Sequence, residues 1–317
     1  MVFVAGRYES WFLSARDAEA GRPARALWIR HTRHHAAGAA EGSAALWCTV
    51  FDPEAGAPAA VKQSCPDFPV GVRASFEGFR GEARARGRMA EWELAVAGGG
   101  VPLRHLRPAA LYRLPFPKTK LEAPVPDGIA RGQVVLDGAL VDVVGWRATV
   151  GHNWGREHAE RWAWLHAAGF EDEPDAWLEL ALARVRIGGA LSPWIANGAV
   201  FVGGQRLRLG GLGHVPGVRV VAMPGRLEAI VPGERIEVRV AVHADLDQTA
   251  CFRYSGVGTD PVRGEREVLH AGLAGVRLGI KRPGRPSAEL ATTYGGAYEL
   301  GNRKFTGAVH AQPYPDP

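Results

Sequence analysis

Apolar and polar residues alternate with period two along nearly the whole of this chain, and that alternation limits its fold more than any other feature. Successive side chains of a strand point to opposite faces, so such a pattern marks extended chain with one face turned to a core. Ile236, Val238, Val240 and Val242 alternate with Arg235, Glu237, Arg239 and His243, and Trp92, Leu94 and Val96 alternate with Glu91 and Glu93. Around Leu46-Cys48-Val50 and Leu178-Leu180-Leu182 both faces carry bulk, which predicts strands covered on two sides.

Glycine pairs and prolines, rather than helix caps, punctuate these runs: the chain holds 41 Gly and 22 Pro in 317 residues. Long helices are therefore not expected, and only Ser14 to Ala20 and Arg156 to Glu160 read as short helical turns. The fold class is all-β, with roughly fifteen to twenty strands. A sheet of that size must split or close, and two antiparallel barrels of about eight strands remove the exposed edges and can each hold a small ligand. An even division gives an N-terminal β domain over 1–158 and a C-terminal one over 159–317. The Pro-rich stretch from Pro115 to Pro126 reads as a surface connection that would place the boundary earlier. A hairpin over Ile129 to Val150, turning at Asp137-Gly138, favours the later one.

Positive charge is spread rather than concentrated, with 38 Lys and Arg against 33 Asp and Glu. A nucleic-acid partner is not expected on that distribution. Arg84, Arg86 and Arg88 share a strand face that reads as a solvated outer surface. No run approaches the ~18 apolar residues of a membrane helix, so no integral membrane segment is expected. The start of the chain is charged too early for a signal peptide. Cys48, Cys65 and Cys251 form neither a disulfide framework nor a metal motif, which favours a reducing, cytoplasmic location. His31, His34 and His35, or His152, His158 and His166, lack the company of a zinc site; His34-His35 read as part of a hairpin loop. No phosphate-binding loop, dinucleotide fingerprint or nucleophile elbow occurs, and no metal or cofactor is expected. The sequence does not fix the oligomeric state.

Residues 145–170 hold four of the ten Trp and three of the eleven His. If Arg161 to Phe170 is a strand, Trp162, Trp164 and His166 share one face and Ala163, Leu165 and Ala167 the other. Indoles beside an imidazole suit a pocket for a flat or polyene ligand; the alternative is a core that uses large side chains as filling. His152-Asn153-Trp154, between two glycines, is a polar turn able to aim a side chain inward. His152 is then a candidate general acid or base, or a structural histidine, with Asn153 a polar contact. Near the start, Tyr8, Ser10 and Phe12 share a face, as do Trp28, Arg30 and Thr32, while Glu9 and Arg30 are candidates for an ion pair or for solvated rim charges.

With Tyr8-Glu9-Ser10-Trp11-Phe12 followed by a strand Ala26 to Thr32, a central Gly-His-Asn-Trp-Gly, and a Trp-x-Trp strand, the chain resembles the carotenoid 1,2-hydratase and AttH-like family. Tyr294-Gly295-Gly296-Ala297-Tyr298 is similar to the closing strands of tocopherol cyclases. The resemblance implies two lipocalin-like domains and a hydrophobic isoprenoid, polyene or polyketide-like small molecule as partner, with hydratase, isomerase or cyclase chemistry. It implies roles for His152, Trp154, Trp162 and Trp164, to which Glu9 and Asn153 add catalytic candidates and Trp28, Arg30, His166 and Tyr294 substrate contacts. The family's acid before the histidine is Gly151 here. Alkene hydration needs a strong acid, whereas ring closure by folding the substrate needs only a shaped cavity with a few donors. A carrier of a lipid-like ligand remains the non-catalytic alternative.

Overall fold

A computed structural model describes residues 5–17, 23–258, 264–305 and 311–315. The first ten strands are β1 (Arg7–Asp17), β2 (Arg25–His35), β3 (Ser43–Phe51), β4 (Ala59–Cys65), β5 (Arg73–Ser75), β6 (Gly78–Ala85), β7 (Arg88–Gly98), β8 (Leu103–Arg104), β9 (Thr119–Leu136) and β10 (Ala139–Gly155). They form one antiparallel sheet in the order β4-β3-β2-β1-β10-β9-β7-β6-β5, with β8 also on β9. This sheet curls into a half-barrel whose end strands do not pair.

The β9–β10 hairpin is the long spine of this sheet. Asp137 (φ 50°) and Gly138 (φ 84°) both take left-handed angles, as a two-residue turn matched to strand twist requires. The Pro-rich stretch is not a free connection, because β9 begins at Thr119. Pro124 and Pro126, which cannot donate to a ladder, sit where the β9–β10 register slips.

The remaining strands are β11 (Arg161–Ala168), β12 (Trp177–Arg184), β13 (Arg186–Ile187), β14 (Ala190–Leu191), β15 (Ile195–Val202), β16 (Gln205–Gly210), β17 (Arg219–Met223), β18 (Arg226–Gly233), β19 (Ile236–His243), β20 (Thr249–Tyr254), β21 (Arg266–Lys281), β22 (Ala288–Asn302) and β23 (Ala311–Pro315). Eight of them, β11-β12-β15-β16-β18-β19-β21-β22, close on themselves through β22 and β11. The seam between β16 and β18 is the single pair Leu209–Gly233. The all-β expectation holds, with one closed barrel and one half-barrel.

Local departures have simple causes. Ser14 to Asp17 continue β1 as strand because their neighbours β2 and β10 pair with them; residues 18–20 of that expected turn lie outside the described residues. Arg156 to Glu160 form bends rather than a helical turn. His34 and His35 end β2 instead of lying in the loop that follows.

Barrel closure decides what can be empty. The inward face of the barrel is aliphatic: Leu165, Leu178, Leu180, Leu182, Val200, Val238, Val240, Leu278 and Leu300 pack into one buried cluster. That interior is filled. The opposite face of β11 and β12 turns toward the half-barrel, where Trp28, Trp47 and Phe51 meet Phe252, Tyr254, Val268 and Leu273 in a core shared by both halves. Phe252 stacks on Trp28 at 5.2 Å and meets Trp47 edge-on at 5.2 Å. Because this ring contacts both sheets, Phe252→Ala should destabilise the protein by about 3–5 kcal/mol, read as a lowered urea midpoint in which both halves unfold earlier.

Candidate functional site

Period-two parity places the polar groups of this site. On β1 the residues Tyr8, Ser10 and Phe12 face the second half, and on β2 so do Trp28, Arg30 and Thr32; all six are buried. Facing them on β11 are Trp162 and Trp164, whose cross-strand neighbours on β12 are Ala183 and Ala181. A large residue beside a small one leaves room. A cavity of about 260 Å³ opens there, walled by Tyr8, Phe12, Trp28, Arg30, Trp162, Trp164, Ala181, Tyr254 and Glu299, together with Asn153 and the segment from His105 to Thr119.

Two carboxylates sit behind this aromatic wall. Trp162 Nε1 donates to Glu299 Oε1 at 2.7 Å, and Glu299 Oε2 accepts from Tyr254 Oη at 3.4 Å and faces His270 Nδ1 at 3.4 Å. One strand position deeper, Trp164 Nε1 donates to Glu179 Oε1 at 2.6 Å, with His105 Nε2 3.4 Å from the same oxygen. Burial pushes the Glu299 carboxyl up, but the bonds from His270 and Trp162 and the charge of Arg30 outweigh it, and Glu299 lies below the usual carboxylate range. Burial lowers His270 against the opposing pull of Glu299, so its imidazole is neutral. Burial also raises Tyr8 to about 12, although its hydroxyl donates to Thr119 Oγ1 at 3.3 Å.

The sequence candidates divide between two places. Asn153, Trp28, Arg30, Trp162 and Trp164 line the cavity. His152, Trp154 and Glu9 do not: they lie together on the other face of β1 and β10, because each is one residue out of step with Asn153 and Ser10. There the His152 ring is sandwiched between Trp11 (4.1 Å, 14°) and Trp154 (4.4 Å, 23°). Its Nε2 is 2.9 Å from Glu9 and its Nδ1 3.3 Å from Glu122. Glu9 thus pairs with His152 and not with Arg30.

His166 is fully buried past the end of the cavity, held between Arg16 (2.9 Å) and the Pro126 carbonyl (2.9 Å). Burial first, then Arg16, keep it neutral. Tyr294 is 49% exposed on the outside. Of the histidines weighed for metal, His31 is buried inside the half-barrel, where Trp92 Nε1 donates to it at 3.1 Å, and His34 faces the Gly256 carbonyl at 3.2 Å. Among the described residues no group of three or more His, Cys, Asp or Glu is placed to hold a metal ion, and no helix is long and apolar enough to cross a membrane.

Sequence reasoning missed Glu179, Glu299, His105 and His270. The available signal was a lone charged or imidazole group inside an otherwise apolar run, as in Leu178-Glu179-Leu180, Tyr298-Glu299-Leu300 and Leu269-His270-Ala271. Gly151 also has a structural cause: a Cβ there would lie 2.0 Å from Phe12 Cζ, so the ring that walls the cavity occupies the place of a side chain.

An all-β fold of lipocalin type with a cavity between its two halves is the class defined by these features. No protein-family model matches the chain. Two curated sequences from Mycobacterium tuberculosis strains, both named uncharacterized proteins, are 28% identical over 168 residues, covering 51% of this chain and 50% of each relative. The chain therefore spans about half the length of the curated relatives it matches. Among solved structures, kievitone hydratase from Nectria haematococca shares the fold at a TM-score of 0.51 and 9% identity, over 92% of this chain and 88% of that one. A candidate AttH protein from Nitrosomonas europaea aligns at 0.49 and 14% identity, over 93% and 92%. At such identities the likeness is one of fold.

Two outcomes follow from this geometry. Gly151→Ala should destabilise by about 1–3 kcal/mol, the usual result of overpacking, visible as a lowered melting temperature. At His152, burial pushes the imidazole down but the bonds to Glu122 and Glu9 outweigh it and raise it above 6.5. The His152 bond, opposed by burial, lowers Glu9 below 4.5. The raised histidine stabilises fully below its unfolded value and loses this as pH rises through its folded value; the lowered glutamate stabilises above its unfolded value and loses this as pH falls. His152→Gln should therefore lower the urea midpoint most near about pH 5.5 and progressively less toward about pH 9.

Proposed function

We propose that this chain is an enzyme performing acid–base chemistry, of isomerase, cyclase or hydratase type, on a hydrophobic isoprenoid-, polyene- or polyketide-like small molecule held between its two halves. The observation that carries the reading is Glu299, a buried carboxyl in the cavity wall that is hydrogen-bonded by Trp162 and Tyr254 and held below the usual carboxylate range, beside aromatic and aliphatic side chains and further charged groups that include Arg30, Glu157 and Glu160. A carrier has no need of a charged group there, since burying one without full compensation is unfavourable by several kcal/mol.

The protonation state selects among the reactions. An ionised Glu299 accepts a proton; it does not supply the strong acid that an isolated alkene requires. Isomerisation fits: a proton leaves an activated carbon for Glu299 and returns at another carbon. Ring closure fits as well, with the proton taken from the attacking group and delivered to the far end of the acceptor. Trp28, Trp162, Trp164 and Tyr254 hold the substrate flat between their rings. His105 lies beside Glu179 at the cavity wall, its Nε2 3.4 Å from the Glu179 carboxyl. The hydratase whose fold is shared keeps hydration within the reading, for a double bond conjugated to a carbonyl, which needs only weak acid assistance.

Non-catalytic binding of a lipid-like ligand is the second reading, favoured by one detail: both oxygens of Glu299 already have hydrogen-bonding partners. Glu299→Gln separates the two. Turnover of the substrate extracted with the protein should fall by about 10²–10⁴-fold, with binding retained; unchanged turnover, or no turnover by the wild type of any ligand that co-purifies, would refute the enzyme reading.

A further inference from the structure

We infer that the cavity takes a ligand with an anionic oxygen group on a ring-containing apolar body, and that Arg30 binds that group. The inference rests on the reading of the cavity as a substrate site and goes further by naming the chemistry of the substrate's polar end.

Arg30 lies on β2 at the heart of the seam and is 2% exposed, yet it lines the cavity. Its Nε donates to Ser10 Oγ at 2.7 Å. Its guanidinium lies 3.8 Å from the centre of the Tyr254 ring and 5.1 Å from that of Trp47. Among the described residues it forms no ion pair, and its buried Nη1 has no hydrogen-bond partner. The other two buried arginines have more partners, although Arg16 Nε is likewise without one. Arg16 bonds His166, Ser14 and the Gly295 carbonyl, and Arg266 pairs with Glu160 at 3.0 Å.

Buried charges are paired or bound by a ligand, because an isolated one is strongly unfavourable in a low-dielectric interior. Stacking on Tyr254 and Trp47 covers the flat faces of the guanidinium but not its in-plane donors, which are the groups that recognise carboxylate-like oxygens. Glu299, which feels the charge of Arg30, has its own oxygens engaged by Trp162 and Tyr254. The wall therefore presents a cation with directional donors left over. Asn153 Oδ1, also buried without a partner and also lining the cavity, supplies an acceptor for a hydroxyl on the same molecule. An aromatic and aliphatic lining in which buried Arg30 Nη1 and Asn153 Oδ1 lack partners describes an amphipathic acid better than a pure hydrocarbon.

Two fluorescent probes that differ only by the anionic group test this directly: anilinonaphthalene sulfonate and its uncharged parent, N-phenylnaphthylamine. The wild type should bind the sulfonate the more tightly. Arg30→Met should weaken the sulfonate by about tenfold or more, the effect of a lost charge-assisted hydrogen bond, and leave the uncharged probe unchanged. Arg30→Lys should keep most of the preference, and Ala181→Phe, which fills the hollow, should abolish both signals. Equal affinity of the wild type for the two probes overturns the inference, as does failure to bind either, equal loss of both in Arg30→Met, or persistence of both in Ala181→Phe. The readout is binding without turnover, so equal affinity of the wild type for the two probes with Glu299-dependent turnover intact defeats this inference alone, and a wild-type preference that depends on Arg30 without Glu299-dependent turnover defeats only the enzyme reading.

Discussion

The seam between the half-barrel and the barrel depends on one interaction used twice, an indole N–H donated to a buried carboxylate. Trp162 serves Glu299 and Trp164 serves Glu179 from alternate positions of the same strand. A buried carboxyl is costly unless hydrogen-bonded, and each indole supplies one such bond, although Glu179 Oε2 is left without a partner. The tryptophans thus have two tasks, as apolar surface for the shared core and as solvent for charge. Neither Phe nor Leu can do both.

Small residues decide where the indoles lie and where space remains. Trp162 has Gly301 on one side and Ala183 on the other, and a Cβ at Gly301 would fall 2.2 Å from the indole ring. The ring therefore rests on the glycine strand, and the hollow forms over Ala181 and Ala183. Phe12 lies over Gly151 in the same manner on the facing sheet. Close packing leaves few voids in a protein interior; a void between two rings that each rest on a glycine, opposite two alanines, is set by the sequence of both halves together.

Much of this was legible in the sequence. Alternation identifies the strands, Asp137-Gly138 the hairpin, and the shared faces of Trp28 with Arg30 and of Trp162 with Trp164. What alternation does not encode is which way a face points once the sheets are assembled. His152 and Trp154 share a face as expected, yet that face carries the Glu9–Glu122 cluster, and the intervening Asn153 reaches the cavity. The Trp face of β11 likewise turns outward from its own barrel, because the aliphatic face with Leu165 fills the interior. Glu299 and His270 stand out in the sequence only as lone polar groups in apolar runs, without a hint of their partners. They come from strands paired with each other but far from β11 in sequence, and nothing local marks a lone Glu between Tyr298 and Leu300 as the partner of an indole.

Arg30 and Glu299 also have to be considered as one electrostatic system. The Arg30 charge is among the causes that hold Glu299 below the usual carboxylate range, so the two groups share a field across the hollow. An oxyanion seated on Arg30 offsets that field with its own negative charge, and this raises the proton affinity of Glu299. The carboxylate then becomes a stronger base when the hollow is occupied than when it is empty. Coupling of this kind is reciprocal, so protonation of Glu299 tightens the hold of Arg30 on the oxyanion by the same factor. On the proposed reading, a ligand bound at Arg30 therefore tunes the carboxyl that acts on it, through Tyr254, which stacks on the guanidinium and bonds Glu299.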